Sequence, residues 1–253
     1  MASFFIYDSI NQYRSDNTIT EGTISSSTFS PSDSLTNHER ASDQNIGTVI
    51  SGVQDNDAIE YAVGSTATAD AVAVYFTGDD GVSSGTIMTF YIDTDRSALP
   101  SKGTISAVSS AGWQVADLTE TSGNKFFTEF NASVSNVSEI IIGKKLAFEV
   151  EPDINVQTQR DYGTKVQKSL GGVEYAINTH DAQEIFTISF QNISSTFKSN
   201  LLIMENALKG ESKKFLYYDG TNYHWVRLNG TMTFTEIADG RFATQIVMRQ
   251  QIQ

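Results

Sequence analysis

The sequence predicts a mainly β protein in two parts, an antiparallel sandwich of short strands followed by a β domain of hairpins with one packed helix. Three observations predict it. Short apolar runs alternate with polar residues from Ala71 onward, glycine-centred turn signals punctuate the C-terminal part, and one segment, Ser195 to Leu208, has convincing helical spacing.

In chain order, the first 65 residues are rich in Ser, Thr, Asn and Asp, with short apolar pieces at Phe4 to Tyr7 and Thr48 to Ile50, and read as loops and edge strands. Ala71 to Phe76 is a compact apolar run, Gly78-Asp79-Asp80-Gly81 a turn, and Thr86 to Asp93 alternates as a half-buried strand does. Phe126 to Phe130, Glu139 to Ile142 and Leu146 to Val150 continue the series, the last two expected to be joined through Gly143-Lys144. Pro152 lacks a ladder donor and extends the residue before it, so the first sheet system is expected to end there. The expected domains are residues 1–155 and 156–253.

Past that point Gly171-Gly172 separates Val166 to Leu170 from Val173 to Ile177. Asp219-Gly220 separates Lys214 to Tyr218 from Tyr223 to Leu228, and Asp239-Gly240 separates Thr231 to Ile237 from Arg241 to Met248. Asp-Gly suits tight hairpins because positive φ angles match strand twist. Glu184 to Phe190 puts Phe186, Ile188 and Phe190 on one face. The helix, about residues 195–209, stripes Phe197, Leu201, Met204 and Leu208 along one side and has Gly210 past its end, so it should pack on the sheet.

Composition narrows the chemistry. Zero Cys removes disulfides, thiolate zinc sites and cysteine nucleophiles, and leaves only His38, His180 and His224 for imidazole work. A net charge of −13 with scattered basic residues argues against a nucleic-acid surface. No stretch approaches a membrane helix, and the opening residues reach a charge too early for a signal peptide's apolar region. With 39% hydrophobic residues the chain can still build a core.

Two oxygen-rich groups were weighed for metal: His180 with Asp181 and Glu184, and Asp79, Asp80, Asp93 and Asp95, whose loops could converge on calcium. Both are better explained as solvated turns, and the EF-hand pattern is absent. Carboxylate pairs such as Asp117 with Glu120, or Glu120 with Glu129, carry little information in so acidic a chain. No nucleophile elbow, zincin helix or phosphate loop occurs, so the expectation is no catalytic residue, no cofactor and no metal. Sequons at Asn131, Asn136, Asn192 and Asn229 are no more than chance supplies. Tyr75, Tyr91, Trp113, Tyr217, Tyr218, Tyr223 and Trp225 are candidates for a sugar-stacking platform, against the plainer reading that they pack the sheets.

The order of short motifs resembles a family. Ser25-Ser26-Ser27-Thr28-Phe29, Asp33-Ser34-Leu35 and Ala41-Ser42-Asp43 look like the opening of tailed-phage tail proteins with a galactose-binding-like jelly roll. Ser138-Glu139-Ile140-Ile141-Ile142-Gly143-Lys144-Lys145-Leu146, followed by the linker proline Pro152, is similar to their last jelly-roll strands. Lys168-Ser169-Leu170-Gly171-Gly172-Val173-Glu174-Tyr175 resembles the hairpin that opens their tail-hub-like C-terminal domain. The Trp and Arg expected near Ala41-Ser42-Asp43, and the Arg-rich strand near His180-Asp181-Ala182-Gln183, are missing. The resemblance implies a non-enzymatic virion structural protein of a tail or baseplate, made in the host cytoplasm, a homo-oligomer docking other tail proteins through its C-terminal domain. The alternative is a lectin-like module that contacts host surface glycans. Neither reading involves nucleic acid or membrane.

Overall fold

The computed structural model describes residues 3–10, 18–25, 28–31, 35, 37–93, 99–152 and 157–251. The chain divides into two compact units, one from Ile6 to Leu146, the other taking Ala147 onward with the N-terminal residues through Phe5. Strand β1 (Phe4–Tyr7) carries residues of both. The protein is mainly β, as its alternating sequence requires, and every strand pair of defined register is antiparallel. Among the described residues no helix is long and apolar enough to cross a membrane.

The first unit contains β2 (Thr18–Ser25), β3 (Thr28–Pro31), β4 (Asp57–Phe76), β5 (Thr86–Asp93), β6 (Ser101–Ser106), β7 (Gly112–Phe130) and β8 (Val137–Ala147). Its frame is β4 and β7, which pair along three stretches separated by register shifts at Ala62/Ala67 and Ala69/Ala71. The first half of β4 lies between β2 and the end of β7, the second half between β8 and the start of β7. β5 adds to the end of β7, and β6 to β5. Ile59, Tyr61, Phe126 and Phe130 around the first stretch share a core with Val72, Val74 and Phe76 of the last and with Ile140 and Ile142 of β8. Two strand layers over one core make the expected sandwich, and the irregularities let each long strand pass from one layer to the other.

The strands run longer than their apolar runs. β4 starts at Asp57, because the exposed Gly64 to Thr66 stretch that breaks its alternation sits at the register shift and does not end the strand. β8 is one strand through Gly143-Lys144, where a hairpin was expected. A Cβ on Gly143 would lie 1.9 Å from the Tyr7 carbonyl oxygen, so this glycine admits a neighbouring backbone and makes no turn. Thr48 to Ile50 forms no strand, though the Ile50 amide donates to the Val137 carbonyl at 3.0 Å. Burial pushes the Tyr7 phenol up to about 12, with the Asp70 carboxylate adding to it.

The second unit contains β9 (Gln157–Asp161), β10 (Lys165–Lys168), β11 (Glu174–Ile177), β12 (Gln183–Ser194), α1 (Ser195–Leu208), β13 (Lys214–Tyr218), β14 (Tyr223–Leu228), β15 (Thr233–Ala238) and β16 (Arg241–Gln250). Its sheet runs β13-β14-β16-β12-β9, with β15 beside β16, while β10 and β11 form a separate two-stranded ladder. All three expected hairpins are present. Phe186, Ile188 and Phe190 point inward from β12, and α1 covers that region with Phe197, Leu201, Met204 and Leu208. The Ser194 hydroxyl accepts the Phe197 amide at 3.1 Å and donates to Glu149 at 2.5 Å, so the helix start is tied to the chain ahead of the sheet. At the other end Lys209, at φ 52°, takes the left-handed cap position, and Gly210 lies past the end as expected, also left-handed at φ 64°, its amide donating to the Glu205 carbonyl at 3.0 Å.

Candidate functional site

The acidic turn weighed for calcium is built as a structural pin. Asp80 is fully buried; its carboxylate accepts the Val82 amide at 2.7 Å and the Val108 amide at 2.5 Å, while its carbonyl accepts the Ser135 amide at 2.9 Å. Asp79 accepts the Gly81 amide at 2.8 Å. Asp93 ends β5, and Asp95 lies outside the described residues. Among the described residues no group of three metal-ligating side chains converges.

Asp117, Glu120 and Glu129 each have a cationic or phenolic partner. Lys145 meets Asp117 at 2.8 Å, Lys144 bridges Glu120 and Asp70, and the Tyr91 hydroxyl donates to Glu129. Burial raises the Tyr91 phenol, and the neighbouring Glu129 raises it further. Lys125 sits 3.4 Å from Glu60, which is almost fully buried. Within the sandwich, Lys144–Asp70, Lys125–Glu60 and Tyr91–Glu129 tie neighbouring strands, while Lys145–Asp117 and Lys144–Glu120 reach from β8 across β4 to β7.

The three histidines fall in different surroundings. His38 opens the short 3₁₀ turn His38–Ser42, beside Glu39 at 3.9 Å. His224 lies against Phe186, ring centroids 4.6 Å apart, and its Nε2 is 2.8 Å from the Asp219 carboxylate in the β13–β14 turn. The other oxygen of Asp219 accepts the Thr221 and Asn222 amides, both at 2.7 Å. Burial by itself would raise this carboxyl, but the Asn222 amide, His224 and the Thr221 amide outweigh it and hold it below the ordinary carboxylate value. A depressed carboxyl stabilises the fold above its unfolded value, and that contribution is lost as pH falls through the lower folded value. Asp219→Asn should therefore leave stability at neutral pH lower and flatten its decline on acidification, read as urea midpoints across the acid range; an unchanged pH dependence refutes the role.

The aromatic candidates are mostly packing residues. Tyr217, Tyr218, Trp225 and Trp113 are buried, Trp113 packs at a tilt against half-buried Tyr75 with ring centroids 5.2 Å apart, and Tyr223 packs at 4.7 Å on Tyr218. Burial pushes the Tyr217 phenol up to about 12, helped by Asp219 and Glu151. These rings offer no open platform.

A solvent-facing cleft takes in only part of the set named from the sequence, His180 and Asp181. β9 and β12 pair at Asp161 with Gln183, and β10 and β11 at Lys165 with Ile177, so residues 162–164 on one side must span the same gap as residues 178–182 on the other. The longer side bulges, and the gap becomes an open cleft of about 430 Å³ lined by Tyr162, Asn178, Thr179, His180, Asp181 and Ala182. Gly163, at φ 56°, makes the bend: a Cβ there would lie 2.2 Å from the Thr179 hydroxyl and 2.5 Å from the His180 ring. Thr179 donates to the Gly163 carbonyl at 2.9 Å and Thr164 to Asn178 at 2.8 Å, which fixes the walls. His180 Nδ1 lies 2.7 Å from the Asp181 carbonyl; as a carbonyl only accepts, the neutral ring carries its proton on Nδ1. The cleft therefore brings together His180 and Asp181 of the sequence-level candidates and adds Tyr162 and Asn178.

Beyond the cleft, β10 and β11 stand as an arm with every residue exposed. Val166, Val173, Tyr175 and Ile177 are each more than half exposed, and Leu170 at the tip is fully so, at 111%. Register places Tyr175 and Ile177 on one face with Gln167 and Lys165, and Val166 and Ala176 on the other with the Lys168–Glu174 ion pair. The hairpin was legible from Gly171-Gly172, but burial was not, because an alternating strand shows the same pattern whether or not anything covers its apolar face.

No family model matches the sequence, and no curated protein matches it. Among solved structures, the chain is similar to a family 32 carbohydrate-binding module of AlyQ in complex with 4,5-unsaturated mannuronic acid, at 15% identity and a TM-score of 0.37, covering 57% of this chain and 98% of that one. It is similar also to a module of this family from Clostridium perfringens in complex with GalNAc-β-1,3-galactose (11% identity, TM-score 0.38, 53% and 99% covered). A third is the family 32 module of NanJ from C. perfringens in complex with galactose (11% identity, TM-score 0.38, 53% and 97% covered).

Proposed function

We propose that this chain is a non-enzymatic association module, a structural component of a tailed-phage tail or baseplate that joins its neighbours through the C-terminal unit. One observation carries the association: the large hydrophobic side chains exposed to solvent among the described residues all lie between Tyr162 and Ile237, and none of them between Ile6 and Leu146. Five of them, Val166, Leu170, Val173, Tyr175 and Ile177, fall within one hairpin, and a concentration of exposed hydrocarbon is what a surface that meets another protein offers. The placement in a tail rests on the motif order from Ser138 to Tyr175. The test is mass spectrometry of purified particles carrying wild-type chain or Leu170→Asp; wild type should be incorporated and the variant depleted, and equal incorporation of both defeats the reading.

A second reading, glycan binding, is favoured by the cleft. Tyr162 offers a half-exposed ring, Asp181 a carboxylate with no ion-pair partner among the described residues, and Asn178 an amide, the mixture of flat apolar surface and polar groups that a sugar ring takes. Tyr162→Ala should reduce affinity for a bound saccharide about tenfold in calorimetric titration, corresponding to roughly 1.4 kcal/mol. A cleft that serves glycans must bind at least one oligosaccharide in a glycan panel; binding that survives Tyr162→Ala unchanged places the sugar elsewhere.

A further inference from the structure

The association reading leaves open what the arm meets. We propose that the β10–β11 arm of one copy docks on the outer edge of β15 in a second copy, an inference that rests on that reading and names its partner.

An isolated two-stranded ladder is at best marginally stable in water, and this one exposes both faces and its tip. Something must gain from keeping it extended. β15 is the complementary feature: among the described residues it pairs with β16 alone, so one edge of its backbone is open, and Glu236, Ile237 and Ala238 along it and Asp239 just beyond it are exposed, Ile237 by 52%. An open edge strand is a template for strand addition, with backbone bonds supplying affinity and side chains register.

Charge selects this pairing. The arm from Lys165 to Ile177 carries Lys165 and Lys168 against Glu174, a net of +1, in a chain whose total is −13. Lys168 is already held by Glu174 at 2.7 Å, while Lys165 on the arm and Glu236 and Asp239 on the edge make no ion pair among the described residues. The arm is thus a cationic, apolar segment, and β15 offers an acidic edge with a matching aliphatic side chain. Arm and edge are different surfaces of one unit, so the contact is heterologous and repeats into a ring or a chain. Two arms set against each other would bring Lys165 near its own copy and leave both acidic edges unmatched.

The test is sedimentation of the full chain over a range of concentrations. Wild type should self-associate reversibly. Lys165→Glu and Glu236→Lys should each weaken association about two- to fivefold, as exposed pairs do, and the double exchange should restore it. Leu170→Asp, at a fully exposed site where folding is not at stake, should weaken it more. A wild-type chain that stays monomeric, or a double exchange whose losses simply add, overturns the proposal. If the chain is monomeric while Leu170→Asp still drops out of particles, self-docking falls and the association reading stands; if the variant is also incorporated normally, both fall.

Discussion

Replacing Phe190 with Ala should cost the C-terminal unit about 3–5 kcal/mol, the range for emptying a large aromatic from a packed core. Phe190 is 1% exposed and sits edge-on to two rings, Phe148 at 5.2 Å and Phe197 at 5.9 Å. Phe197 belongs to the first turn of α1, and Phe148 also meets Phe5 at 4.7 Å, so one cavity loosens the helix, β12 and the N-terminal residues together. The two tryptophans make this measurable unit by unit. Trp113 lies in the sandwich and Trp225 in the C-terminal unit, so Trp113→Phe leaves Trp225 fluorescence as a local probe of denaturant unfolding. Phe190→Leu should lose less, which keeps the measurement possible if the Ala variant does not fold. A loss below about 1 kcal/mol for Ala would mean the cluster is not the core of that unit.

The second large effect is expected at Asp80. Asp80→Ala strips the buried Val108 amide of its partner and frees the Val82 amide. Bonds to a charged acceptor contribute about 1.5–3 kcal/mol each, so a loss of about 3 kcal/mol is expected from the sandwich. Asp80→Asn keeps one acceptor and should lose roughly half as much. The same experiment separates a structural carboxylate from a calcium ligand: the wild-type unfolding midpoint should not move when millimolar calcium replaces chelator. A midpoint that rises with calcium and no longer does so in Asp80→Asn would return the turn to the metal reading.

The corrections share a cause. Strand length was underestimated at β4 and β7 because only the apolar halves were visible; their polar stretches are held by backbone bonds to each other and by pairs such as Thr68 with Ser122, 2.8 Å apart. Backbone ladders leave no trace in composition. A glycine beside a lysine reads as punctuation, and only the Tyr7 carbonyl pressed against Gly143 explains a glycine within a strand. The candidate surface was half visible. Gly171-Gly172 announced the hairpin and His180-Asp181 its root, but the three-against-five mismatch that opens the cleft depends on which residues pair.

By itself, then, the sequence determined the elements whose signals are local. Hairpin turns follow from φ preferences at Gly and Asp, helix α1 from a stripe recurring every three or four residues with a serine ahead of it, and the inward set Phe186, Ile188 and Phe190 from the period of two. Tertiary structure alone decided which of these faces are covered. Tyr217 and Tyr175 both occupy alternating positions in short strands beside a glycine turn, yet Tyr217 is 2% exposed under Phe5 and Phe186 and Tyr175 is 57% exposed on a free arm. Burial is a property of what packs from a distance along the chain, and no residue near Tyr175 in sequence carries that information.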